Sequence, residues 1–209
     1  MSSILLALWG AATALLGALT LLVALLLVRR QCGRRTTTAS EGDGLRVVFV
    51  HPDLGIGGAE NLVVNAAVAL KKKGHTVLMY TAHHDPSHCF AETKPGGVLG
   101  DAVFVHGDWL PRSILGTAHV VCSIVRMLYV SLVVVLDMGG DGNGPADVIF
   151  CDQISAAVPL LQLCVGGAPV LFYCHFPDKL LCTDRASALK RLYRAPIDWL
   201  EEATTAASA

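Results

Sequence analysis

Arg46-Val-Val-Phe-Val-His-Pro-Asp-Leu-Gly-Ile-Gly-Gly-Ala-Glu60 runs a β-forming stretch into a glycine turn that opens directly onto an apolar, helix-patterned segment. A strand, a glycine loop and a helix N-terminus together form an anion site, because unpaired backbone N–H groups and the helix dipole point at one place. Leu45–His51 reads as the strand. Ala59–Lys73 reads as the helix, with Leu62, Val63, Ala66, Ala69 and Leu70 at helical spacing, lysines in its last turn and Gly74 closing it. The ligand expected there carries phosphate, and Gly55, Gly57 and Gly58 are the residues expected to approach it.

Outward from this block the strand and helix signals alternate. Thr76–Tyr80 and Ala102–Val105 read as strands, and Ala146–Cys151 and Pro169–His175 as apolar runs suited to a parallel sheet. Ser155–Val165 fits a crossover helix between the last two. Such alternation implies βαβ units in an α/β fold, a Rossmann-like doubly wound parallel sheet with ligands at the carboxyl ends of its strands. His51 and His175 both fall at such ends.

Composition directs attention elsewhere. The 209 residues carry a net charge of −1, which gives no sign of a nucleic-acid partner. Mean hydropathy of +0.54 with 16% charged residues is high for a soluble domain. From Ile4 to Val28 no residue is charged, and at about 1.5 Å per residue that run exceeds the roughly 30 Å of a bilayer core. Arg29, Arg30, Arg34 and Arg35 follow at once, which places residues 1–3 in the lumen and everything after the 4–28 span in the cytosol. A cleaved signal peptide is the competing reading; it calls for a basic n-region and a shorter apolar core. Residues 29–44 form a basic and polar linker, and 45–205 the folded domain. Val120–Leu136 is almost wholly apolar but interrupted by Arg126. It reads as a sheet-packed helix, with an interfacial position or a second span as alternatives. The seven cysteines form no CxxC pair and read as reduced, buried apolar residues.

The glycine turn matches a dinucleotide fingerprint only in part, since Glu60 stands where a third glycine would fall, and a carboxylate there argues against NAD. His83, His84, Asp85 and His88 have the chemistry of metal ligands, but the Asp85-Pro86 turn and the absence of a second cluster favour a polar loop.

Six blocks stand in order: His51–Glu60, Thr81–Glu92, Gly107–Arg112, Cys151–Ser155, Leu171–Asp178 and Leu189–Trp199. Together, over residues 45 to 205, they resemble the N-terminal half of the eukaryotic alpha-1,3/1,6-mannosyltransferases of dolichol-linked oligosaccharide assembly. That family is of the retaining GT-B type, with two Rossmann-like domains and an active site between them. The resemblance implies transfer of mannose from GDP-mannose to a dolichol-diphosphate-linked core, on the cytosolic face of the endoplasmic reticulum membrane. It implies no cofactor, and admits other mannosyltransferases of that membrane as partners. Gly57 and Gly58 match the loop that approaches the donor diphosphate and sugar, and His175 matches a cleft histidine that holds the transferred sugar. Asp178, Lys190, Arg191 and Arg194 match family blocks without an assigned role. The family continues into a second domain where this chain ends Ala203–Ala209, so the expectation is a half-domain inactive by itself. The alternatives are a non-catalytic membrane-bound partner that binds the lipid-linked acceptor or another transferase, and a nucleotide-binding protein of other chemistry.

Overall fold

The computed structural model describes residues 44–114, 116–139, 144–164, 167–182 and 187–208. The expected lumenal stub and 4–28 span, nearly all of the expected 29–44 linker and residues 140–143 lie outside the described residues.

Five strands form one parallel sheet: β1 (Arg46–His51), β2 (Thr76–Thr81), β3 (Val103–Val105), β4 (Val148–Asp152) and β5 (Val170–Tyr173), in the spatial order β3-β2-β1-β4-β5. The chain winds outward from β1 to β3, then returns to lay β4 on the other side of β1. The crevice of such a sheet lies where its order reverses, between the carboxyl ends of β1 and β4.

Because side chains alternate along a strand, each strand feeds two cores. Val47 and Phe49 of β1, with Val77 and Met79 of β2, face helix α1 (Gly58–Lys72) and its buried Val63, Val64 and Ala67. Val48 and Val50, with Leu78, Tyr80, Ile149 and Cys151, face helix α2 (His119–Gly139) and helix α3 (Val158–Cys164). The apolar stripe of α1 sits one position round from the one expected, so Leu62 is exposed whereas Val64 and Ala67 are buried. Gly74, at φ +89°, ends α1 in the left-handed conformation that glycine adopts without strain.

Helix α2 is long and apolar enough to cross a membrane. In this fold Met127, Val130, Val134, Val135 and Met138 bury its inner face on the sheet. Arg126 is buried as well, donating to the carbonyls of Ala82 at 2.7 Å and Gly107 at 3.4 Å. The sheet-packed reading of Val120–Leu136 is the one the fold adopts.

After β5 come a short helix α4 (Asp178–Leu181) and the long α5 (Ala188–Ala206). Glu201 of α5 accepts the backbone N–H groups of Asp178 and Lys179 at 2.7 and 2.8 Å, which caps α4 and ties the two helices. Ser155 Oγ meets Thr204 Oγ1 at 2.8 Å and fastens α5 to the segment leaving β4.

Candidate functional site

The face that each strand turns to α1 decides what its last residue does. His51 follows Val47 and Phe49 on that face. Asp152 follows Phe150, one step past the Val50–Cys151 pair that ends the β1–β4 register. Tyr173 stands opposite Asp152, and His175 lies two residues further on the same side. Rings descend across this face in sequence: Phe49 to Phe150 at 5.1 Å, Phe150 to Tyr173 at 6.2 Å, Tyr173 to His175 at 4.8 Å. Strand pairing alone therefore gathers His51, Asp152 and His175 at the switch point.

They are bonded to one another. His51 Nδ1 donates to both carboxylate oxygens of Asp152, at 2.7 and 2.8 Å, and His175 Nε2 meets Asp152 Oδ2 at 2.9 Å. Asp152 is wholly buried, His51 almost so, and His175 is 20% exposed. His51 Nε2 points toward α1, where Glu60 Oε1 lies 3.8 Å away, and no group hydrogen-bonds it. Burial taken alone would lower the His51 pKa. The bond to Asp152 and the approach of Glu60 outweigh it and raise the pKa to about 9, so the ring is an imidazolium at neutral pH. That cation in turn draws the Glu60 carboxyl below its usual range.

Directly above stands the glycine loop. Gly57 is the N-cap of α1 in an extended conformation and has no side chain with which to cap the first turn, where the Glu60 carboxylate lies. A Cβ on Gly57 would collide with the Glu60 carboxylate, whereas one on Gly58 would enter open space. The Glu60 carboxylate lies between Gly57 and His51, and the His51 cation 3.8 Å away partly offsets the repulsion a phosphate would meet there. Gly55, Gly57, Gly58 and His175 thus stand at one end of the sheet, His175 joined to the loop side through Asp152 and His51.

Gln153, immediately after Asp152, holds φ at +61°, an uncommon conformation for a residue with a side chain. The kink turns the chain from β4 into Ser155–Ala157 and opens a mostly apolar cavity of about 360 Å³ behind His175. Its walls include Ile124, Gln153, Ile154, Phe176, Leu200 and Glu201.

The other candidates go elsewhere. His83 Nδ1 bonds Asp108, His84 Nε2 meets Thr93 at 3.3 Å, and Asp85 accepts from Ser87. Among the described residues no three His, Cys, Asp or Glu side chains group as a metal site would need. Arg194, at the end of a basic run, is buried with Asp178 at 2.7 Å and Asp198 at 2.9 Å, so it joins α4 to α5 and does not face a ligand. Of the cysteines, Cys89, Cys122 and Cys151 are buried as expected, but Cys174 is exposed and Cys182 half-buried, because both lie past the end of the edge strand β5.

Sequence reasoning placed His51 at a strand end without a role, and passed over Asp152. The signal was the shared parity of positions 51, 152 and 175 on adjacent strands, which becomes readable only once strand order is known.

A family model described as Glycosyltransferase Family 4 matches residues 56–209. The alpha-1,3/1,6-mannosyltransferase ALG2 of Rhizomucor pusillus is 53% identical over 164 residues, covering 78% of this chain and 34% of that protein. The protein of the same name from Mus musculus is 52% identical over 161 residues, with coverages of 76% and 36%. The one from Saccharomyces cerevisiae is 44% identical over 168 residues, with coverages of 80% and 32%. The chain spans about a third of the length of the curated relatives it matches. Among solved structures, the catalytic domain of starch synthase IV from Arabidopsis thaliana aligns with 64% of this chain and 34% of its own. Its identity is 16% and its TM-score 0.42, too slight a likeness to argue from.

Proposed function

The chain belongs to glycosyltransferase family 4, and from that premise we propose that it forms the N-terminal lobe of an alpha-1,3/1,6-mannosyltransferase. The enzyme takes mannose from GDP-mannose and adds it to the dolichol-diphosphate-linked Man-GlcNAc2 core of the N-glycan precursor. It works at the endoplasmic reticulum membrane, with residues 4–28 as the anchor and this lobe in the cytosol. The names of its relatives support the reaction, and the four arginines after the apolar run support the orientation.

The single observation that carries the reading is the meeting, at the switch point, of a glycine helix start with a bonded His51–Asp152–His175 set. The donor diphosphate would lie against the N–H groups of α1, where the helix dipole favours the charge that builds on the leaving phosphate. His51 beneath keeps Glu60 from opposing that charge. His175 would hold the sugar.

The test is transfer of radiolabelled mannose from GDP-mannose to a dolichol-diphosphate-linked acceptor, using membranes from cells that make the whole enzyme of which this lobe is part. Label in the lipid-linked oligosaccharide is the expected result. Acceptor binding without any transfer would instead favour a non-catalytic partner. Gly58→Val is the sharper variant: its side chain enters open space, so the thermal midpoint stays put while transfer is lost. Unchanged transfer by that variant would remove the phosphate-loop assignment.

A further inference from the structure

We propose that Asp152 and His51 are positioning residues that hold the His175 ring with its proton on Nε2, and so present Nδ1 as an acceptor to a sugar hydroxyl. The proposal deepens the transfer reading above and rests on it for its kinetic consequence alone.

An ionised carboxylate can only accept hydrogen bonds, so the 2.9 Å contact to Asp152 Oδ2 requires a proton on His175 Nε2. A neutral imidazole protonated there carries a lone pair on Nδ1. None of the described residues bonds His175 Nδ1, while the ring borders both the cavity and the open end of the sheet. The Tyr173 ring meets it edge-on at 4.8 Å and restricts its swing.

His51 is what makes Asp152 dependable. A fully buried carboxylate without a cation would take up a proton and could then donate toward His175, reversing the tautomer. His51 donates to both oxygens, which fixes the carboxylate plane and gives its charge a buried partner. The groups facing His51 are Asp152 from β4 and Glu60 from α1, both carboxylates, so its positive charge is held from two sides. A purely structural role is a poor account of this set, since β1 and β4 are already joined by backbone pairing from Val47 to Val50. A buried ion pair adds little net stability over an apolar pair of similar volume.

The test needs a readout that mere stability would not move. Side-chain nitrogen–proton correlation NMR on the full chain should show His175 as the Nε2–H tautomer at neutral pH. Asp152→Asn should shift it toward Nδ1–H, because the new amide can donate to Nε2. In the transfer assay Asp152→Asn should lower kcat by about 100-fold while donor KM moves less than about threefold. His51→Gln, which still donates to Asp152 but carries no charge, should give a smaller loss of the same kind, and it serves if Asp152→Asn does not fold. A wild-type His175 protonated on Nδ1 or on both nitrogens, a tautomer indifferent to Asp152, or kcat unchanged in both variants would overturn the proposal. The predicted tautomer in a protein that transfers no mannose would support the positioning role and sink only the transfer reading.

Discussion

Two histidine–aspartate pairs stand at the carboxyl end of the same sheet with nearly the same geometry. His83 Nδ1 meets Asp108 Oδ1 at 2.5 Å, and His51 Nδ1 meets Asp152 Oδ1 at 2.7 Å. The first pair is 25% and 51% exposed, the second 1% and 0%. Water screens the outer pair and competes for its hydrogen bonds, while the inner pair interacts through a medium of low dielectric. Distance therefore says little about what a charged contact does; the depth at which it is placed decides. Depth also costs solvation, so the inner pair is fragile to the loss of either partner.

The comparison breaks most sharply at its buried member. Asp152→Ala leaves two histidines without their common acceptor and should destabilise the fold by about 3–5 kcal/mol, read from denaturant midpoints. A loss below about 1 kcal/mol would mean that burial does not separate the two pairs.

The pH response comes next. The folded pKa of His51, about 9, lies above its unfolded value of about 6.5. The stability it contributes is complete below pH 6.5 and is lost as pH rises through 9. The shift corresponds to about 3 kcal/mol. Unfolding free energy measured from pH 6 to 10 should fall across that window, and the fall should vanish in His51→Gln. Persistence of the fall in that variant would assign it to another group.

A smaller effect belongs to the seam between α4 and α5. Glu201→Ala removes the acceptor of two backbone N–H groups and should cost about 1 kcal/mol, with faster amide exchange at Asp178 and Lys179. Smallest of all is the outer pair. His83→Ala should change stability by less than about 1 kcal/mol, which thermal melts can check against Asp152→Ala.

Much of this architecture could be read in the chain. The β-run from Arg46, the glycine turn and the apolar stripes fixed one sheet with helices on both faces, because periodicity follows from burial. His175 was legible for a different reason, as the last residue of an apolar run followed by Phe-Pro-Asp. Its partners were not. His51 and Asp152 are separated by 101 residues, and their bond exists only because β4 crosses back beside β1. Arg194 carried no role in the sequence reading either. Only the placement of Asp178 and Asp198 shows that its side chain is consumed within the fold. The face of α1 was misjudged by one position because Leu62, Val63, Val64 and Ala66 offer two overlapping stripes, and packing chose between them.

The parity of Asp152 has a consequence for assembly of the sheet. A β4 displaced by one residue would bring Cys151 beside His51 and turn the carboxylate to the opposite face of the sheet, away from His51. Such a molecule would separate the carboxylate from His51 and leave that ring with Glu60 alone, 3.8 Å away. Correct strand alignment and the bonded site thus arise in one event. The same ion pair that positions a ring acts as a proofreader of the sheet it closes.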